Sequence, residues 1–210
     1  MHALVIANGE APSLHLLQSL GNAAELIVAA DGGASHAMAA GLTIDAVVGD
    51  LDSVTAAARA TLPAERFHHD ANPDQSDLQK AIGFCIAHGA ETVDVVAAGG
   101  GRADHALANL SVLRLFRGQA VVRVIDDYFD VSLIEGQATV AAPAGTVISL
   151  IAIGQASGVT TTGLRWNLTD FSLAFSPHGI HNEVADSPAS ISVAEGDVLL
   201  FRGRWVEKHA

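Results

Sequence analysis

Five short apolar runs, at residues 3–7, 26–30, 46–48, 93–98 and 121–125, recur through the first part of the chain, each built mostly of Val, Ile and Ala. Runs of this length with little polar alternation suit strands buried on both faces. Helical patterns with legible ends lie between them. Ser76-Asp77-Leu78-Gln79 has the form of a capping box, with the Ser76 hydroxyl at the N-cap. Leu78, Ile82, Cys85 and Ile86 then form one apolar stripe, and Gly89 closes the helix. A second helix is expected from about Asp104, turning Leu107, Leu110, Leu113 and Phe116 towards the core and stopping at Gly118. Strand–helix alternation of this kind builds a parallel sheet with helices on its faces.

After Asp130 the helical period nearly vanishes. Short alternating segments at 137–141, 146–153, 171–175, 189–193 and 197–201 are separated by turns such as Ala142-Pro143-Ala144-Gly145 and Glu195-Gly196-Asp197. This pattern predicts an all-β module of roughly 80 residues, most simply a small sandwich. The expected domains are 1–127 and 128–210, with the boundary near Asp126–Asp130. The stretch from Gly136 to Leu164 carries no charge and is long enough to span a bilayer. Pro143, five glycines and the alternation in 146–153 argue for sheet instead. The first residues lack the pattern of a signal peptide, and the single cysteine, Cys85, rules out an intrachain disulfide and fits a reducing compartment. The expectation is a soluble, cytoplasmic protein.

Twenty-three acidic side chains face 11 basic ones, a formal charge of −12. That balance argues against a nucleic-acid partner, which needs clustered Lys and Arg, and against an anionic membrane surface. An anionic small substrate stays open if divalent cations sit between it and the carboxylates. Ligands of open parallel sheets bind beyond the carboxyl ends of the strands, and there this chain places Asp31-Gly32-Gly33, Gly49-Asp50-Leu51-Asp52-Ser53 and Gly99-Gly100-Gly101-Arg102-Ala103-Asp104-His105. Asp74-Gln75-Ser76-Asp77 opens the capped helix. Asp50 and Asp52, two apart, share one side of an extended chain. Paired carboxylates suit Mg²⁺, which takes one or two of them together with substrate phosphates. Any one of these aspartates taken alone reads first as a turn former or helix cap, and Asp77 and Asp104 stand at helix starts, but four such groups on one sheet edge favour a shared cation. Arg102 could grip a phosphate or stand solvated. Neither Lys80 nor Lys208 lies in a Walker A setting, and Asp104 occupies the third glycine position of the dinucleotide fingerprint. His68-His69 reads as a surface turn, and Cys85 as a small hydrophobe.

Taken together, these segments resemble the thiamin pyrophosphokinase family. The matching elements are Ala30-Asp31-Gly32-Gly33-Ala34, Gly49-Asp50-Leu51-Asp52-Ser53, Asp74 to Ala81, Gly100 to His105 with Asn109, then Thr161 to Leu168 and Gly179-Ile180-His181-Asn182-Glu183. Each is short; their order along nearly the whole chain carries the resemblance. It implies an α/β N-terminal domain with a mainly parallel, Rossmann-like sheet binding ATP and Mg²⁺. It further implies an all-β sandwich C-terminal domain contributing to the thiamin site, and a homodimer with substrate sites between subunits. The implied reaction moves the terminal pyrophosphoryl unit of ATP to the thiamin hydroxyl and releases AMP. By resemblance, Asp50, Asp52, Asp77 and Asp104 are the metal and catalytic carboxylates. Asp31, Gly32, Gly33, Gln75, Lys80, Arg102 and Asn109 serve ATP or support those carboxylates, and Trp166, His181 and Asn182 serve thiamin. On its own, Trp166 reads equally as a ligand platform or an aromatic packing a sandwich edge. His181 stands where the family usually carries serine. Two further readings share these residues: a non-catalytic thiamin- or nucleotide-binding module, and pyrophosphoryl transfer to a related hydroxyl-bearing heterocycle.

Overall fold

The structure, a computed structural model, describes residues 1–206, so Lys208 lies outside the described residues. The chain divides into two units, Met1–Asp127 and Tyr128–Ala210. The first runs β1 (His2–Ile6), α1 (Leu14–Ala23), β2 (Leu26–Ala30), α2 (Ala34–Ala39), β3 (Ala46–Gly49), α3 (Ala56–Thr61), β4 (Phe67–His69), α4 (Asp77–Ala87), β5 (Thr92–Val96), α5 (Ala103–Leu115) and β6 (Val121–Ile125). Its strands lie in the order β6-β5-β1-β2-β3-β4, every neighbouring pair parallel. The order reverses between β1 and β5, so the loops leaving these two strands diverge and open a crevice. Leu4, Val5, Ile6, Val28, Val47, Val93 and Val95 are fully enclosed, as the uninterrupted apolar runs require. Side-chain caps start three of the helices: Ser13, Thr55 and Ser76 accept from the amides of Leu16, Ala58 and Gln79.

Two expectations change in this unit. Residues His68 and His69 do not form a turn; they belong to the edge strand β4, paired with Val48 and Gly49 of β3. An edge strand takes its order from backbone pairing and tolerates polar side chains facing solvent. On α5, Leu113 and Phe116 are buried but Leu107 is 58% exposed. A strict three-residue spacing walks round a helix, because each step falls 60° short of a full circle. Leu107 and Phe116, nine residues apart, therefore face opposite sides. Leu107→Ser is expected to change stability by less than about 0.5 kcal/mol, whereas Leu113→Ala should cost about 2–4 kcal/mol; urea denaturation of both variants checks this. Cys85 on α4 is fully buried and its thiol is pushed up to about 12 by burial, in keeping with a packing role.

The second unit comprises β7 (Phe129–Ile134), β8 (Gln137–Val140), β9 (Thr146–Ala152), β10 (Gln155–Thr162), β11 (Phe171–Ala174), β12 (Asn182–Glu183), β13 (Ala189–Ser192) and β14 (Val198–Val206). They form two antiparallel sets, β12-β9-β14-β7 and β11-β10-β13-β8. Ile148, Leu150 and Leu200 from the first set and Val159, Leu173 and Ile191 from the second share one core. Strand β10, absent from the sequence reading, has its alternation broken by an irregularity between Ala156 and Val159. Both residues are buried although three apart, and Gly158 between them adopts φ +64°, so the period-two signal disappears locally. None of the described helices is long and apolar enough to cross a membrane.

Candidate active site

The site is built from the turns that follow β1, β2, β3 and β5. Three non-glycine residues just past these strands hold left-handed backbone: Asp31 after β2 (φ +47°), Leu51 after β3 (φ +64°) and Ala97 after β5 (φ +56°). Such conformations cost about 1–2 kcal/mol each and persist because the surrounding contacts impose them. The turn after β1 is laced to that after β5: Gly9 N–H donates to Ala97 O and Glu10 N–H to Gly99 O, both at 2.8 Å. A Cβ on Gly9 would lie 2.2 Å from Gly99 O. His36 Nε2 lies 2.9 Å from Gly9 O and pins the same turn from α2.

Asp31, Asp50 and Asp77 converge, each offering one oxygen within 4.8 Å of the others'. Gly49 makes this possible, since a Cβ there would sit 2.9 Å from Asp77 Cγ and 3.2 Å from Asp31 Cβ. Asp31 is 4% exposed. Its Oδ2 accepts the Ser53 amide at 3.1 Å, while its buried Oδ1 has no hydrogen-bond partner. Burial raises the Asp31 pKa above 3.8, Ser53 opposes this through its hydrogen bonds, and the charges of Asp77 and Asp50 add to the rise. Asp77 Oδ1 accepts both the Asp50 amide at 3.2 Å and the Lys80 ammonium at 3.0 Å. Asp52 donates its amide to Asp50 Oδ1 at 3.1 Å and accepts the Ser53 hydroxyl at 2.8 Å.

A buried carboxylate with one unpartnered oxygen, clustered with two further carboxylates, costs about 1–3 kcal/mol unless something positive completes it. Oxygen donors of this hardness suit Mg²⁺ or Mn²⁺ better than a soft metal. The residues present therefore fit a divalent cation held by Asp31, Asp50 and Asp77, with Asp52 alongside.

Asp31, Asp50, Asp52, Gln75, Asp77, Lys80, Arg102 and Asn109 all line one open cleft of about 1010 Å³. Asn109 donates to Ala98 O at 2.7 Å and so ties α5 to the turn after β5. Gly32 and Gly33 lie buried beneath the cleft: a Cβ on Gly32 would meet the Asn8 side chain at 2.5 Å, and one on Gly33 the Ile6 carbonyl oxygen at 2.0 Å. Their smallness lets the tight turn Asp31–Gly33 pack closely against β1 and the Asn8 turn. Asp104 does not join the carboxylate group. It forms a two-pronged pair with Arg102, at 3.1 and 2.6 Å, and the guanidinium holds its pKa down to about 2. The cleft also takes in His105, the last residue of the strand-end segment after β5, and Asn8, Gly9 and Glu10, to which the sequence reading assigned no role. The Asn8-Gly9 turn directly after the first apolar run was the available signal.

In the second unit, Trp166 is 55% exposed. The Arg165 guanidinium covers its ring at 4.9 Å and lies 3.4 Å from Glu183. Asn182 clamps the backbone of Trp166, accepting its N–H at 3.2 Å and donating to its C=O at 2.7 Å. His181 holds φ +59° and donates its amide to Ser149 Oγ at 2.9 Å. Asn182 thus positions Trp166, with His181 presented on the adjoining turn.

A parallel α/β unit with a carboxylate cluster at its strand ends is followed by an antiparallel two-sheet unit, and the two family matches that cover them make the chain a transferase of the kinase type. The thiamin pyrophosphokinase catalytic domain matches residues 17–124, and the vitamin B1 binding domain of the same enzyme matches 134–198. The chain belongs to the thiamin pyrophosphokinase family. It is 29% identical over 206 residues to thiamine pyrophosphokinase 1 of Oryza sativa subsp. japonica, covering 83% of this chain and 76% of that protein. It is 30% identical over 148 residues to thiamine pyrophosphokinase 3 of the same plant, covering 62% of this chain but 54% of that protein. The crystal structure of thiamine pyrophosphokinase from Bacillus subtilis superposes with a TM-score of 0.83 at 24% identity, covering 97% of this chain and 99% of that one.

Proposed function

We propose that this chain transfers the terminal pyrophosphoryl group of ATP to the hydroxyl of thiamin in a Mg²⁺-dependent reaction, giving thiamin diphosphate and AMP. The observation that carries the reading is the convergence of Asp31, Asp50 and Asp77, of which Asp31 is buried and has one oxygen with no hydrogen-bond partner. In this proposal Asp31 joins Asp50, Asp52 and Asp77 in holding the cation, and Arg102, paired with Asp104, lines the same cleft and meets the phosphates. Bound there, Mg²⁺ would offset the charge of the triphosphate and of the carboxylates. The thiamin oxygen attacks the β-phosphorus, a new P–O bond forms, and the bond from that phosphorus to the bridging oxygen of the α-phosphate breaks. AMP leaves with the bridging oxygen, and the hydroxyl proton passes to a cleft carboxylate or to solvent. The residues of the chain supply position: Asn109 and the β1 and β5 turns hold the Rossmann-like crevice open for ATP, and Gln75 borders it. Trp166, set by Asn182, offers an aromatic face to thiamin beside His181.

We place the enzyme in the cytoplasm as a homodimer with substrate sites between subunits. The exposed apolar side chains Leu115 and Val121 support a second copy as partner. Phosphorus NMR of ATP, thiamin and MgCl₂ with the protein should give AMP and thiamin diphosphate in equal amounts. Formation of ADP, or no thiamin-dependent AMP, would refute the proposal.

A further inference from the structure

Lys80 is one of only two lysines in the chain, and its side chain is 3% exposed. A buried ammonium is expensive unless a charge compensates it. Here α4 fixes the compensation, because Lys80 stands three residues after Asp77 on the same helix and the two side chains meet across one turn. The contact is selective between the two oxygens of Asp77. Oδ1 takes the ammonium at 3.0 Å and the Asp50 amide at 3.2 Å. Asp77 also belongs to the cluster with Asp50 and Asp31, and Asp31 carries a buried oxygen with no hydrogen-bond partner. The ammonium borders the cleft but is almost fully enclosed and is held by the Asp77 carboxylate.

We infer that Lys80 is the built-in counter-ion of the carboxylate cluster, compensating its charge in the metal-free protein and setting how tightly it takes a divalent cation. The inference rests on the reading of Asp31, Asp50 and Asp77 as a cation site. Lys80 is a positioning residue: it orients Asp77 and acts on the reaction through it. The ammonium and the metal oppose each other electrostatically, so removing the lysine removes a repulsion felt by the incoming cation. The Asp50 amide still orients Asp77 when the lysine is gone.

The test uses the whole chain without nucleotide, following thermal unfolding and calorimetric titration with MgCl₂ for the wild type, Lys80→Met, Lys80→Gln and Lys80→Arg. Neutral replacements should lower the metal-free melting temperature, enlarge the upward shift produced by saturating MgCl₂, and tighten Mg²⁺ binding by about tenfold or more. Lys80→Arg should track the wild type. A neutral variant that folds only with MgCl₂ present supports the inference most strongly. The inference is overturned if neutral variants shift no more than the wild type, bind Mg²⁺ more weakly, or stay unfolded at saturating MgCl₂. A wild type that shows no response to MgCl₂ overturns the cation-site reading itself, and the counter-ion role with it.

Discussion

Gly49→Ala is expected to destabilise the protein by about 2–4 kcal/mol and to lower transferase activity more than a hundredfold in whatever fraction folds. Gly49 holds φ +150°, and a Cβ would come within 2.9 Å of the Asp77 carboxylate and 3.2 Å of Asp31 Cβ. An added methyl must push apart two of the three converging carboxylates or shift the end of β3. The control is Gly83→Ala on α4, where nothing lies within 4 Å of the added Cβ. That change should be neutral or stabilising by up to about 1 kcal/mol. Urea denaturation of both variants separates a loss specific to the crowded strand end from a general intolerance of alanine.

Asp31→Asn should have the opposite effect on stability and an equally large one on function. The folded-state pKa of Asp31 is raised above 3.8, chiefly by burial. The folded protein therefore binds this proton more tightly than the unfolded chain does. The stabilisation from that proton is fully present below the unfolded pKa, near 3.8, and is lost as pH rises through the folded pKa. At neutral pH the metal-free wild type carries a buried charge with an unpartnered oxygen, and asparagine removes the charge at nearly constant shape. The metal-free variant should be more stable than wild type at pH 7 by about 1–2 kcal/mol, with the difference shrinking towards zero below about pH 4. With MgCl₂ present the order should reverse, because only the wild type gains from the cation, and Asp31→Asn should have lost transferase activity. Denaturation curves across pH, with and without MgCl₂, check both arms. Strain of this kind, stored at the site and relieved by a ligand, is a common cost of function.

How far this was legible in the sequence depended on whether the deciding contact was local. The apolar runs of β2 and β6 have the bounds expected of them; in β2 burial writes itself into consecutive residues, whereas β6 keeps its bounds although Val121 is exposed and Arg123 half-buried. The Ser76 cap is visible because its hydroxyl reaches an amide three residues on. Leu107 misled because its spacing from Leu110 and Leu113 looks helical while its phase drifts to solvent. Strand β10 was hidden by the irregularity at Gly158, and β4 by having histidines on an edge. Among the site residues, the Asp50–Asp52 spacing pointed to the right turn but not to its geometry: Leu51 between them holds φ +64° and not an extended conformation, and Asp52 is not one of the three converging carboxylates. The part played by Asp31 was not readable, since it depends on β2 lying beside β3 and on Ser53 closing over one oxygen. Asp104 stood out for its place after a glycine turn, yet the structure spends its carboxylate on Arg102, two residues away. The turn at Asn8-Gly9-Glu10 follows the same strand-end rule that singled out the aspartates, but with no charge pattern to draw the eye until the β5 turn is seen laced to it.

The central claim is that the carboxylates at the ends of β2 and β3 and the start of α4 form one divalent-cation site. Anomalous difference density from crystals soaked in MnCl₂ tests it most directly. The account predicts a peak within bonding distance of Asp31 Oδ1, Asp50 and Asp77, abolished in Asp31→Asn. A peak at Asp104 instead, or none in the cleft at saturating MnCl₂ with the cluster accessible to solvent, would contradict it.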